Sequence, residues 1–355
     1  MGYAISSFEL NGKVHVVVST EGKGPCLLFS PPDWKMRILA DGPGGSMSLT
    51  GIPGRNETLL AIMECYPIFK FEHGGIYLYG PGTDPAPEEQ RTPPTRGTAQ
   101  TANKAMWKGH RILDLPFAHR LEMVTVGGVP HLIAATISAG KANKDDWSRP
   151  GTVYAIRVPD DLDGQWEPIP ILEGIVRNHG LHRTVLDDQE VLLVSGQQGL
   201  FALAVPKELG GAWKSERIIS REISEVYAAD LDEDGQNELV TIEPFHGNTL
   251  SVYKRTGNRI DGTWHRLFEA DLSFGHGLWA GMLGGEPTVM AGSRSGDKDL
   301  SIFTIQSLVP FVAQRAVIEP EAGPTQFLVL HEDGRDLIFS VNQALDEISL
   351  YTVTG

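Results

Sequence analysis

The sequence predicts an all-β fold: a single seven-bladed β-propeller with four-stranded blades around a central channel. Three observations predict it. Short apolar runs of strand length recur seven times, about fifty residues apart. Five of the seven tryptophans follow such runs at one repeat position. Turn formers are abundant, with 40 glycines and 23 prolines in 355 residues, and pairs such as Asn11-Gly12, Asp234-Gly235 and Asp333-Gly334 separate the apolar runs as hairpins require. No stretch shows long helical periodicity.

The third strand of each blade gives the clearest register. It reads PCLLFS at 25–30, GIYLYG at 75–80, TVYAIR at 152–157, GLFALA at 199–204, TLSVYK at 249–254, LSIFTI at 300–305 and ISLYTV at 348–353. Hairpins such as FELNGKVHVVV and LEMVTVGGVPHLIAA supply the first two strands. Trp34, Trp107, Trp166, Trp213 and Trp264 mark the start of the outermost strand, where an amphipathic ring would cover a blade edge. The last blade reaches Gly355 straight after its third strand, so its fourth is missing or supplied from elsewhere. Residues 1–355 thus read as one domain. The Pro-, Thr- and Gly-rich stretch 81–104 reads as a surface loop inserted between the third and fourth strands of blade 2.

A formal net charge of −15 argues against a nucleic-acid partner. No apolar run reaches membrane-spanning length, and Met1-Gly2-Tyr3-Ala4 does not open a secretion signal. Cys26 and Cys65 fall in different blades and suggest no disulfide framework. A cytoplasmic protein is expected. The oligomeric state is left open.

Aligned by their turns, the first strands of four consecutive blades carry metal-ligand residues in register. His119 precedes Gly127-Gly128 by eight residues, and His276 precedes Gly284-Gly285 by the same eight. His179 in NHGL and Glu225 in SEVY occupy the corresponding place. First strands line the channel, so the four side chains are expected to converge on one divalent cation. Three neutral imidazoles and a carboxylate suit Mn²⁺, Zn²⁺, Fe²⁺ or Ni²⁺, and a wet site also admits Mg²⁺. The other blades do not continue the ring, which leaves coordination positions open for a substrate.

Loops between second and third strands should rim this site. They carry Tyr66, His73 and His246, the candidate general bases, and Arg294. With Arg120, His182 and Trp279 near the ligands, Arg294 is expected to contact substrate. A basic and aromatic mouth on an acidic protein suits a small anionic or polyhydroxylated molecule. Separately, Asp230, Asp232, Asp234 and Glu238 form D-x-D-x-D-G-x-x-E, the pattern of a calcium loop, at the opposite end of the strand from the histidines. Any Ca²⁺ there would be structural.

The string AADLDEDGQNELV resembles the repeat of FG-GAP or VCBS-type propellers. Combined with HGL-type first strands, the chain resembles the propeller of the aldos-2-ulose dehydratase/isomerase family, lyases that remove water from keto-sugars. Oligogalacturonate lyases are similar in chemistry, their central metal being held mainly by histidines. These resemblances imply a metal-dependent carbohydrate lyase or isomerase acting on a keto-sugar or uronate by dehydration or β-elimination. The alternative is a non-catalytic propeller that binds carbohydrate or protein.

Overall fold

The structure is a computed structural model that describes residues 1–81, 106–257, 262–332 and 334–354. It is an all-β ring of seven blades, the propeller expected. Blades 1 to 7 span residues 2–40, 49–114, 118–175, 181–219, 225–271, 275–319 and 324–353. Blades 1 to 6 each pair four antiparallel strands in sequence order. Blade 7 pairs three among the described residues. All seven apolar runs are the third strands they were expected to be. The one helix among the described residues is a 3-10 turn, Gln343–Leu345. Apart from Pro81, the inserted stretch 81–104 lies outside the described residues, as does Asp333 of the last hairpin turn. No helix among the described residues is long and apolar enough to cross a membrane.

The turns that set the register behave alike. Asn11 and Gly12 take φ of 53° and 70°, Gly127 and Gly128 take 56° and 81°, and Gly284 and Gly285 take 59° and 82°. Two consecutive positive φ values make a type I′ turn, whose twist matches that of the flanking strands. The hairpins of these three blades are therefore closed in the same way.

Each blade has two apolar faces, and both are covered by neighbours. Val124, Ile133 and Val153 of blade 3, for example, cluster with Leu192, Val194 and Leu203 of blade 4. The repeated tryptophans belong to these seams. Trp34 meets Phe339 of blade 7 edge-on at 5.1 Å, and Trp107 meets Phe8 of blade 1 at 5.4 Å. They wedge against the preceding blade and do not shield an outer edge, because a ring buried between two sheets removes more apolar surface from water than one laid over a strand rim. Blade 6 uses Phe311 at this position, stacked on Phe268 of blade 5 at 4.3 Å. Replacing Trp107, which is 4% exposed, by alanine should cost about 3–5 kcal/mol. Denaturant titration should show this as a lower midpoint; an unchanged midpoint would mean the seam does not depend on the wedge.

Blades 1 and 7 close the ring. Thr325 Oγ1 donates to the Tyr3 carbonyl at 3.0 Å, and the Ile5 amide donates to Gln326 Oε1 at 3.1 Å. This closure places Tyr3 on the channel beside blade 6, where it meets the histidines.

Candidate functional site

The innermost strands bring His119, His179 and His276 together on the channel axis, all 3% exposed or less. His119 and His276 sit near the starts of Ala118–Val126 and Gly275–Leu283, and His179 just precedes Leu181–Leu186. The glycine after His179 has a steric cause. A Cβ on Gly180 would lie 2.5 Å from Ser195 Oγ and 2.8 Å from the Ser224 carbonyl of the next blade. Only glycine lets the strands approach this closely.

A fourth histidine joins them. His246 lies in the loop between the second and third strands of blade 5, with φ of 46°. Its Nε2 stands 3.0 Å from His179 Nε2. Its ring stacks on Phe245 at 4.0 Å, on Phe274 at 4.6 Å and on His276 at 5.4 Å. His179, His246 and His276 each offer a ligand nitrogen, and these atoms lie within 4.8 Å of one another. His119 sits beside them, its ring centroid 4.4 Å from that of His179.

Glu225 does not share the converging point. Its Oε1 is bonded by the Arg120 guanidinium and stands 2.7 Å from His179 Nδ1. That second contact lies off the N–H direction, so Nδ1 of His179 has no aligned hydrogen-bond partner, and neither has Nδ1 of His119. The expected direct ligand thus stands behind an imidazole, drawn there by the buried arginine. His276 is fixed from both sides: Nδ1 donates to the Thr325 carbonyl at 2.8 Å, and Tyr3 Oη lies 3.0 Å from Nε2.

Burial dominates the electrostatics. It holds His119, His179 and His276 well below the ordinary histidine pKa, reinforced by the Arg120 charge at the first two and Arg294 at the third. Burial pushes His246 down to about 3. All four imidazoles are therefore neutral near pH 7, the form that keeps one ring nitrogen unprotonated. Burial also raises the Glu225 carboxyl, against the opposing pull of Arg120.

The histidine layer lies between two cavities. Above it is a cleft of about 380 Å³ with His119 and His246 in its floor and aromatic walls of Phe69, Phe71, Trp147, Phe245 and Phe274. Tyr3, Glu21, Lys144 and Arg294 add polar groups. Below it is a polar channel of about 330 Å³ bordered by Arg120, His182, Glu225 and His276.

Several expected contacts are redistributed. Of the three candidate bases only His246 reaches the cleft. His73 is exposed, and its carbonyl accepts from Arg111 of an outermost strand. The Tyr66 hydroxyl donates to the Pro43 carbonyl at 3.3 Å. Neither borders the cleft, because the loop turns Phe69 and Phe71 inward in their place. Arg294 lines the cleft as expected. Arg120 lies beneath the histidines, and His182 stacks on Tyr227 at 4.2 Å in the lower channel. Trp279 borders neither cavity. It packs with Leu283, Met290 and Ile338 in a seam, since alternation along the strand gives it the blade face that it shares with Leu283. Tyr3, Phe245 and Phe274 escaped the sequence reading because no repeat position marks them.

The acidic turn of blade 5 lies at the other end of its strand from the histidines, as expected. The Lys254 ammonium sits in it, 2.8 Å from Asp232, 2.9 Å from Asp234 and 2.7 Å from Glu238. Asp230 accepts from the amides of Asp234 and Gly235. Asp230, Asp232 and Glu238 have the spacing of a cation site, but the lysine already supplies positive charge there. We therefore expect the same melting temperature in EDTA and in millimolar Ca²⁺. A rise of several degrees with Ca²⁺ would mean that the ion displaces the ammonium.

No family model and no curated protein matches the sequence. Solved structures match over nearly the whole chain. A Bacteroides fragilis protein with a provisional 6-phosphogluconolactonase assignment aligns at TM-score 0.57 and 10% identity, covering 96% of this chain and 94% of its own. BBS1N, solved in complex with ARL6DN, aligns at TM-score 0.58 and 11% identity over 100% and 93%. The Cps50 (Swd1) β-propeller domain of Myceliophteria thermophila aligns at 0.56 and 11% over 99% and 100%. At such identities the likeness shows the propeller fold alone.

Proposed function

We propose that the chain is a metal-dependent lyase or isomerase that dehydrates, or eliminates from, a keto-sugar or uronate-type carbohydrate, with one divalent transition metal at the propeller centre. The observation that carries this reading is the convergence of ligand nitrogens of His179, His246 and His276 within 4.8 Å, with His246 also lining the aromatic cleft. The donor set fits such an ion. The imidazoles are neutral and buried, and Nδ1 of His119 beside the cluster lacks a hydrogen-bond partner, which is costly unless something is bound. Nitrogen donors favour Mn²⁺, Zn²⁺, Fe²⁺ or Ni²⁺, and Mg²⁺ less. When bound, the ion supplies Lewis-acid polarisation of a carbonyl or carboxylate oxygen.

The protein groups divide the remaining work. Glu225 stands behind His179 and fixes its ring by charge, as carboxylates commonly do behind metal-binding imidazoles. His119 borders the cleft and lies outside the converging triad, with Nδ1 uncommitted; we assign it the proton taken from substrate carbon. The aromatic walls exclude water, and Arg294 meets the substrate's charge. The resemblance of the HGL strands to the aldos-2-ulose dehydratase/isomerase family supports the same reading. A cytoplasmic location belongs to this proposal and accords with two free, buried cysteines.

Metal analysis of the full chain, purified without added ions, tests it. About one transition-metal ion per chain, removable by a chelator, is the expected result. A metal-free protein that cannot be loaded would leave the non-catalytic binding propeller as the better reading.

A further inference from the structure

Resting on that reading, we propose that the substrate is an acidic sugar, anchored by its carboxylate on Arg294, and not a neutral keto-sugar. Arg294 directly follows a strand of blade 6 (Glu286–Ser293), and its amide donates to the Phe274 carbonyl at 2.9 Å, so its backbone is held by the ring of blades. The guanidinium lies against two aromatic faces of the cleft, 5.9 Å from the Tyr3 ring centroid and 5.8 Å from that of Phe274.

What marks this arginine among the buried and half-buried ones is its lack of an acid. Arg120 is paired with Glu225, Arg177 with Glu222 and Arg255 with Asp187. The other cation lining the cleft, Lys144, is paired with Asp145 at 2.8 Å. Arg294 has no carboxylate partner among the described residues, and its side chain bonds only the amide oxygen of Gln343. Glu21 lines the same cleft and would be the natural partner, but its carboxylate is taken by the amide nitrogen of Gln343. One glutamine thus stands between acid and base and keeps the guanidinium un-neutralised inside an aromatic enclosure.

A cation held this way favours an anion from solution, and the planar fork of a guanidinium fits a carboxylate through two parallel hydrogen bonds. Lys144 is matched by Asp145, so Arg294 is the cation left for a single carboxylate, and a dianionic phosphate would meet the added repulsion of Glu21, which holds only the neutral Gln343 amide. Position agrees, since the Tyr3 ring that Arg294 covers carries the hydroxyl 3.0 Å from His276 Nε2. A carboxylate on Arg294 would sit over the histidine floor.

Calorimetric titration of the full chain with D-galacturonate, D-galactose and D-galactose 6-phosphate tests this, with metal content measured on the same samples. We expect galacturonate to bind at least about tenfold more tightly than galactose and than the phosphate. Arg294→Gln should erase that preference at unchanged metal content, and Arg294→Lys should keep part of it. Equal affinity for acid and neutral sugar, tighter phosphate binding, no binding of galacturonate, or a preference that survives Arg294→Gln would each overturn the proposal. Metal without acid preference would sink this inference and leave the central-ion reading standing. Acid preference in a chain that takes no metal would do the reverse.

Discussion

His179→Ala empties the central site and abolishes turnover: that is the expected result with the largest effect. His179 is the hub of the floor, 3.0 Å from His246 Nε2, in ring contact with His119 and His276, and backed by Glu225. Removing it takes away one of three converging nitrogens. The seams carry the stability of the blades, so the variant should stay folded, with a melting temperature a few degrees below wild type. Metal content should fall close to zero and activity to background. His276→Ala should behave alike. Glu225→Gln should weaken metal affinity only by about 10–100-fold, because it stands behind the ligand and not on the ion. A His179→Ala protein that holds its metal would place the ion elsewhere.

His119→Gln separates ligand from base. It should retain about one ion per chain while turnover falls by about 10²–10⁴-fold, the usual range for a lost general base. The two readouts move apart only if His119 takes a proton without holding the metal. Loss of metal together with activity would return His119 to the ligand role that its strand register suggests, and the base would have to be sought elsewhere on the floor.

The architecture was legible because each blade repeats it. Third strands, type I′ turns and the tryptophan position are local patterns sampled many times, and blade packing constrains each copy in the same way. The same register singles out His119, His179 and His276, whose rings meet on the channel because equivalent strands line it. Roles within the site were less legible. His246 arrives from a loop with left-handed backbone, which no repeat position encodes. Glu225 has the right register, yet a buried arginine one strand position after His119 draws it aside. Tyr3 joins the site only because the chain's first strand closes on its last blade, a contact between residues more than three hundred positions apart. Tyr66 and His73 failed for the opposite reason: the loop is at the mouth, but it spends its phenylalanines there and turns its polar groups out.

A layer of buried side chains lies across the axis between the aromatic cleft and the polar channel. On the proposed reading, reactant and product share one doorway, since neither can leave through the far face while Arg120, Glu225 and the imidazoles fill the waist. Traffic is then strictly one molecule at a time: a product still lodged against the aromatic walls bars the next arrival, and accumulated product acts as a competitor of substrate for the same free enzyme. The pace of the cycle would be governed by clearance of the cleft as much as by bond breaking.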